Sequence, residues 1–133
     1  MQRVSVSSAL AKKVMLVDDD LDFLQMSKTL LETYDFEVDA FASVQAAVEH
    51  FKRSHVDAII CDVNFNGAKG GLNLYRELQQ VRNTSPVLFA FATGEVISNV
   101  ELQELLKRDN VKIFIKPFNF GDVCRHIRNS IGG

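Results

Sequence analysis

Apolar residues along this chain follow two alternating patterns, short continuous runs and longer stretches with helical spacing. Continuous runs that stop at a polar residue occur at 14–17, 58–61 and 87–92. Such runs are typical of strands buried on both faces, although a short buried helix gives the same pattern. Residues 36–40 and 111–115 instead alternate apolar and polar side chains, with Phe114 as an exception. This alternation predicts strands that have only one well-buried face.

Between these strands the pattern predicts five amphipathic helices. The first follows the acidic run 18–20 and extends to about Tyr34, with acidic side chains at the amino end that its dipole favours. Ser43 and Asn119 are predicted N-caps, and Ser98 with Glu101 forms a capping-box pattern. The third helix should follow the glycines at 70 and 71. The chain therefore reads as five strand–helix units.

Five such units predict an α/β fold with a parallel sheet and helices on both of its faces. The continuously apolar strands, which are the first, third and fourth, should be central, and the alternating second and fifth should be edges. The doubly wound, flavodoxin-like strand order 2-1-3-4-5 meets this condition with right-handed crossovers. In this order the topological switch point, where ligands bind in such folds, lies between the first and third strands.

Length and composition limit the class of protein. The 133 residues, 47% hydrophobic and 24% charged, suit one soluble domain. We assign residues 12–131 to that domain and residues 1–11 to a flexible tail without the hydrophobic core of a signal peptide. A net charge of −2 and the lack of a long apolar run predict neither direct nucleic-acid binding nor a membrane interaction. Cys61 and Cys124 lie in apolar patterns, so we expect buried free thiols and a cytoplasmic location.

Three carboxylates end the two strands that flank the predicted switch point. Asp18 and Asp19 follow the first strand, and Asp62 follows the third. Neighbouring strands lie about 4.8 Å apart, and two carboxylates about 4 Å apart repel by about 4 kcal/mol at an effective dielectric near 20. A hard divalent cation with oxygen ligands, Mg²⁺ with Mn²⁺ as a substitute, would compensate for this repulsion.

Two further polar side chains end the remaining strands at the same edge of the predicted sheet. Lys116 follows the fifth strand and supplies a permanent positive charge, and Thr93 ends the fourth and supplies a hydroxyl donor. A metal, an ammonium and a hydroxyl directed at one carboxylate suit phosphoryl transfer, which depends on positioning and charge neutralisation. The carboxylate itself can be the nucleophile, which gives an aspartyl-phosphate.

Four short motifs resemble the receiver domain of two-component response regulators. They are Val17-Asp18-Asp19, Ile60-Cys61-Asp62, Ala92-Thr93-Gly94 and Ile115-Lys116-Pro117-Phe118, and each ends the appropriate strand. The resemblance, which is closest to the chemotaxis-type receiver, covers nearly the whole chain.

The resemblance implies that Asp62 is the phosphoacceptor for a sensor histidine kinase or a phosphotransfer protein. It also implies a Mg²⁺ site, with roles for Thr93 and Lys116 in stabilising the phosphoryl group. In the family the peptide before the matching proline is usually cis, and Thr93 is the switch residue whose hydroxyl turns toward the bound phosphoryl group. The implied metal ligands are Asp18 (through water), Asp19, Asp62 and the backbone carbonyl of Asn64. Asn64 and Glu95 occupy positions that tune the phosphoryl lifetime.

The chain departs from the family at two places. The loop 64–71 lacks the usual proline and is one residue longer than is typical. Ile113 stands three residues before Lys116, where the family usually has Tyr or Phe. Since isoleucine has no ring to swing inward when Thr93 moves, we expect the readout of phosphorylation to differ. The family binds effectors, targets or a second copy through the fifth strand and the helices flanking it, here 98–108 and 119–131.

Two other functions compete with a phosphorylation switch that turns over no external substrate. One is an interaction module of the same fold that ignores phosphate. Retention of all five predicted site residues disfavours that module. The other is a Mg²⁺-dependent phosphohydrolase with an aspartyl-phosphate intermediate. Such enzymes of the haloacid-dehalogenase type have a second acid two residues after the nucleophile, where this chain has Asn64.

Overall fold

A computed structural model describes residues 12–63, 70–84, 86–94, 100–116 and 119–130. They form five strands and five helices in strict alternation. The strands are β1 (Lys13–Val17), β2 (Glu37–Phe41), β3 (Ala58–Asp62), β4 (Leu88–Thr93) and β5 (Val111–Ile115). The helices are α1 (Leu21–Thr33), α2 (Val44–Arg53), α3 (Gly70–Val81), α4 (Val100–Leu105) and α5 (Phe120–Ser130). The predicted tail at 1–11, and Ser98 of the predicted capping box, lie outside the described residues.

The strands form one parallel sheet in the order β2-β1-β3-β4-β5, which confirms the predicted topology. β1, β3 and β4 are central and β2 and β5 are edges, as their hydrophobic patterns predicted. β4 is buried at every position, whereas β5 is buried only at Val111. A central parallel strand is covered on both faces, so its polar residue marks the point at which the strand leaves the sheet.

Two hydrophobic clusters cover the two faces of the sheet. Residues of α2, α3 and α4 pack on one face, around Phe51, Tyr75 and Leu102. Residues of α1 and α5 pack on the other face, around Leu31 and Ile127. Tyr75, Phe89 and Phe91 are fully buried in the first cluster, as the pattern predicted. Cys61 and Cys124 are buried free thiols, also as predicted.

The helix ends agree with the predicted caps at Ser43 and Asn119. Ser43 Oγ accepts the Ala46 N–H, and Asn119 Oδ1 accepts the N–H groups of Gly121 and Asp122. α4 ends at Leu105, before the predicted end of this helix at Arg108. The reason is that Lys107 and Arg108 donate backbone hydrogen bonds to carbonyls three residues earlier, which tightens the last turn. None of the helices within the described ranges is long and apolar enough to cross a membrane.

Candidate functional site

The sheet register brings the predicted site residues to one edge. Val17 on β1 pairs with Cys61 on β3, so the next residues, Asp18 and Asp62, are neighbours at the ends of these two strands. Asp62 pairs with Ala92, the residue before Thr93. Thr93 accepts the backbone N–H of Lys116 at 2.6 Å, which ties the end of β5 to the end of β4. Four segments that are distant in sequence therefore end at one crevice.

Lys116 lies between the two acids. Its Nζ is 3.1 Å from Asp62 Oδ2 and 3.3 Å from Asp18 Oδ2. The exposed fraction of the side chain is 26% for Lys116, 19% for Asp62 and 4% for Asp18. Both ion pairs are therefore partly buried. Charge-assisted hydrogen bonds of this kind are stronger than those between neutral groups. The ammonium compensates for part of the repulsion between the carboxylates.

The acidic run after β1 divides into three different roles. Asp18 is buried, and its second carboxylate oxygen accepts the Asp20 N–H at 3.0 Å while its own N–H donates to Phe41 at 3.1 Å. Asp20 is the N-cap of α1, where its Oδ1 accepts the Phe23 N–H at 3.1 Å. Asp19 is exposed. The buried member of the run, Asp18, lies beside Lys116.

The electrostatics of the site reflect burial and charge in opposition. Burial raises the pKa of the Asp18 carboxyl above its usual value, although the Asp20 N–H and the Lys116 ammonium both favour the charged form. Burial alone would lower the pKa of Lys116, but the combined attraction of Asp18 and Asp62 outweighs it and raises that pKa. Lys116 therefore stays positively charged at neutral pH.

Thr93 ends β4 at this crevice, and Ile113 lies on the neighbouring strand, two residues before the end of β5. Thr93 is fully buried at the end of β4. Ile113 pairs with Phe91 and packs against the cluster that contains it. Phe114 packs against the opposite cluster, as strand alternation predicted. The nearest aromatic residue of β5 is thus on the other side of the sheet from Ile113.

Gly71, at the start of α3, lies directly against the backbone that carries Asp62. A Cβ atom at this position would be 2.6 Å from the Asp62 carbonyl oxygen and 3.0 Å from Val63 Cα. The Gly71 N–H donates to the Val63 carbonyl at 3.0 Å. Only glycine allows α3 to approach the end of β3 this closely.

The oxygen ligands at the crevice fit a magnesium ion in their chemistry. Mg²⁺ is commonly held by one or two carboxylates and keeps several water ligands, and Asp18 and Asp62 present two carboxylates side by side. Within the described ranges no three acidic, histidine or cysteine side chains are grouped as a metal site would require. Ligation by Asp19 stays a prediction. The predictions for Asn64, Glu95 and the Lys116–Pro117 peptide fall on positions 64, 95 and 117, outside the described residues.

One residue at the site was not predicted from the sequence. The ring of Phe23, on the first turn of α1, has its centroid 4.2 Å from Lys116 Nζ. Its helical spacing places Phe23 among the apolar residues of α1, and nothing local to it indicates a lysine 93 positions later. Only the packing of α1 against the end of β5 reveals the contact.

The sequence from residue 14 to residue 128 matches the response regulator receiver domain family. The chain belongs to this family. Receiver domains act as phosphorylation switches in two-component signal transduction, and the parallel sheet described above is the fold of their chemotaxis-type members.

Curated relatives agree with this assignment, and solved structures agree with the fold. The regulatory protein VanRc of Enterococcus gallinarum is 27% identical over 124 residues, which are 92% of this chain and 51% of that protein. A CheY-like receiver domain from Methanospirillum hungatei superposes with a TM-score of 0.76 at 20% identity, covering 92% of this chain and 94% of its own. The receiver domain of the Pseudomonas aeruginosa sensor kinase PA1611, solved with magnesium in its active site cleft, gives 0.77 at 21% identity, covering 92% and 99%. This receiver chain spans about half the length of the curated relatives that it matches.

Proposed function

We propose that this receiver domain accepts a phosphoryl group on Asp62 from a phosphohistidine of a sensor histidine kinase or phosphotransfer protein. The observation that carries the proposal is the position of Lys116 Nζ, within 3.3 Å of both Asp18 and Asp62. Asp62 is partly exposed at the crevice, so a donor can reach it, while Asp18 is buried beneath. The arrangement concentrates positive charge at the carboxylate that would carry the phosphate.

In this reaction a carboxylate oxygen of Asp62 attacks the phosphorus atom. A P–O bond forms as the P–N bond to the donor imidazole breaks, and the imidazole leaves with the electron pair and takes up a proton. The Lys116 ammonium would move from the free carboxylates to the phosphoryl oxygens, where negative charge is greatest. Asp18, Asp19, Asp62 and the Asn64 carbonyl would hold a Mg²⁺ ion, which supplies charge neutralisation at the phosphoryl oxygens.

The readout of the phosphoryl group would begin at Thr93. A hydroxyl group buried at the end of β4 can turn toward the phosphoryl oxygens and draw the following loop inward. Ile113, on the neighbouring strand, would fill the space that Thr93 vacates, without the ring movement of an aromatic residue. Asn64 and Glu95 would set the lifetime of the phosphoryl group.

The surface around β5 is our candidate for binding an effector domain, a target protein or a second copy of the chain. Val100 at the start of α4 and Ile115 at the end of β5 are 76% and 51% exposed, which is high for large apolar side chains. Both belong to elements next to Thr93 and Lys116. Because the matched curated relatives are about twice as long, the output would come from a further domain or a separate partner. We place this signalling in the cytoplasm.

The test is incubation with Mg²⁺ and acetyl phosphate, followed by intact mass spectrometry. We expect one added phosphoryl group, which EDTA abolishes and which Asp62→Asn cannot accept. Asp109→Asn is the matched control, because Asp109 is an exposed aspartate at the opposite end of β5 from Lys116.

Three other outcomes would each replace the proposal. A normal adduct on the Asp62→Asn variant would show that the acceptor lies elsewhere. No adduct on the folded wild-type protein would favour a phosphate-independent interaction module. Sustained hydrolysis of a generic phosphoester would favour a phosphohydrolase over a switch that catalyses only its own phosphorylation and dephosphorylation.

A further inference from the structure

Three groups in the described part of the chain lie around the ammonium of Lys116. Two are the carboxylates of Asp18 and Asp62, at 3.3 and 3.1 Å. The third is the face of the Phe23 ring, whose centroid is 4.2 Å away. An ammonium has three N–H donors, and a cation within about 6 Å of a ring face is attracted by the negative charge of the π system. The ring therefore covers a side of the ammonium that the carboxylates leave open.

The Phe23 ring is itself held by two helices. Its backbone N–H donates to the N-cap carboxylate of Asp20 at 3.1 Å, which ties Phe23 to the first turn of α1. Its ring packs against that of Phe120, the first residue of α5, with a centroid separation of 6.3 Å. Phe23 thus stands between the lysine and the start of α5. Neither Phe23 nor Phe120 is freely exposed, since each is partly buried.

A lysine needs such support more than most residues at a reactive site. The lysine side chain has four rotatable bonds, and confining it costs conformational entropy that rises with the number of free rotamers. The two carboxylates attract the ammonium, but they do not by themselves fix the conformation of the methylene chain that carries it. A fixed ring restricts the ammonium to one side of the crevice and keeps water from that side. The charge is then in place before the phosphoryl group arrives.

We propose that Phe23 is a positioning residue for Lys116, and that its ring, supported by Phe120, holds the ammonium between Asp18 and Asp62. The consequence for reaction rate rests on the proposed phosphoryl-accepting function. The contact itself does not depend on that function. If Phe23 only filled space between α1 and α5, its replacement would lower stability and leave the lysine and the rate of phosphorylation unchanged.

The first experiment examines the contact by NMR with ¹³C-labelled lysine. Protons above an aromatic face are shielded, so the Lys116 Hε resonances should lie upfield of those of the other lysines. Lys116→Arg identifies the resonance by its loss. The upfield shift should disappear in Phe23→Leu and remain in Phe23→Tyr. A wild-type Lys116 resonance at the ordinary lysine position overturns the proposal without any variant at position 23.

The second experiment measures the initial rate of phosphorylation by acetyl phosphate with Mg²⁺. Because a cation–π contact contributes modestly to holding a cation, we expect Phe23→Leu to lower the rate about threefold to tenfold. Phe23→Tyr keeps the ring face and should stay within about twofold of the wild type. Phe36→Leu is the matched control, since the Phe36 ring also carries a cation, with the Arg128 guanidinium 5.2 Å from its centroid, and lies beyond the carboxyl end of α1, away from Lys116.

The outcomes separate this inference from the proposed function. The proposal is supported if Phe23→Leu loses the upfield shift of the Lys116 resonance and is phosphorylated more slowly, while Phe23→Tyr keeps both the shift and the wild-type rate. Loss of the shift with an unchanged rate overturns it, while phosphorylation of Asp62 stands. If the wild-type protein takes up no phosphoryl group, the proposed function fails, and the NMR comparison alone then decides whether Phe23 holds Lys116. Thermal unfolding of each variant confirms that the compared proteins are folded, and Phe23→Met replaces Phe23→Leu if the latter is not.

Discussion

Lys116 Nζ lies 3.1 Å from the Asp62 carboxylate, although 54 positions separate the two residues in the sequence. β4 lies between the strands that end at these residues, so their backbones are two strand spacings, about 10 Å, apart. The long lysine side chain spans this distance over the end of β4. The pair exists because parallel strands end at one edge of the sheet.

Removing the positive charge of Lys116 should slow the phosphorylation of Asp62. Lys116→Met keeps most of the side-chain length and loses the ammonium, so the developing charge on the phosphoryl oxygens is no longer neutralised. We expect the initial rate with acetyl phosphate to fall at least about tenfold, since one charge-stabilising donor can account for a hundredfold or more. The measurement is intact mass against time. Lys107→Met is the control, because the Lys107 side chain is 73% exposed and forms an ion pair with Glu104, away from Asp62. Equal rates in the two variants would show that Lys116 does not act at the site.

Magnesium should stabilise the folded protein, and Asp18 should be needed for the full effect. A ligand that binds only the folded state at a hundredfold excess over its Kd stabilises that state by about 2.7 kcal/mol. We expect the Tm to rise with added MgCl₂ and to return to its initial value with EDTA. In Asp18→Asn the rise should be much smaller, and in Asp109→Asn it should match the wild type. If added MgCl₂ leaves the Tm of the wild-type protein unchanged, metal binding by these acids is contradicted.

Adding one methyl group at Gly71 should damage the backbone that carries Asp62. The Cβ of Gly71→Ala would meet the Asp62 carbonyl oxygen at 2.6 Å, so α3 or the end of β3 must move. Overpacking of this kind typically lowers the free energy of unfolding by about 1–3 kcal/mol. Gly94→Ala is the matched control, since no atom of the described residues would lie within 4 Å of its Cβ, and we expect a change within about 0.5 kcal/mol. Urea denaturation of both variants gives the comparison, and a Gly71→Ala protein as stable as Gly94→Ala would show that the close approach is not maintained.

His126 should make the stability of the domain depend on pH. Burial, with a smaller effect from Lys112, lowers the pKa of His126 below the usual 6.5. The unfolded chain therefore binds the proton more readily, and the folded state loses stability as the pH falls from about 6.5 through the lowered pKa. The ring also packs edge-on against Phe114, with centroids 5.9 Å apart. We expect His126→Gln to remove part of the difference in Tm between pH 7.5 and pH 5.5. An unchanged difference would assign the acid sensitivity to other groups.

The order of strands, the buried centre of the sheet and the convergence of Asp18, Asp62 and Lys116 were predictable from the sequence. Each of these features depends on a local signal, namely an apolar run that ends at a polar residue. Strand burial and strand ends are properties of a few consecutive residues, and the parallel topology then places all the ends at one edge. The same reasoning correctly put Ile113 and Phe114 on opposite faces of β5.

Contacts between elements were decided only by the tertiary structure. The run Asp18–Asp20 looks uniform in sequence, yet one acid is buried against Lys116, one is exposed and one caps α1. Phe23 belongs to the apolar pattern of α1, and its position over Lys116 depends on where α1 and α5 meet the end of β5. Periodicity encodes which side of an element is covered. It does not encode what covers it, because that depends on helix placement and side-chain rotamers fixed by the whole packed domain.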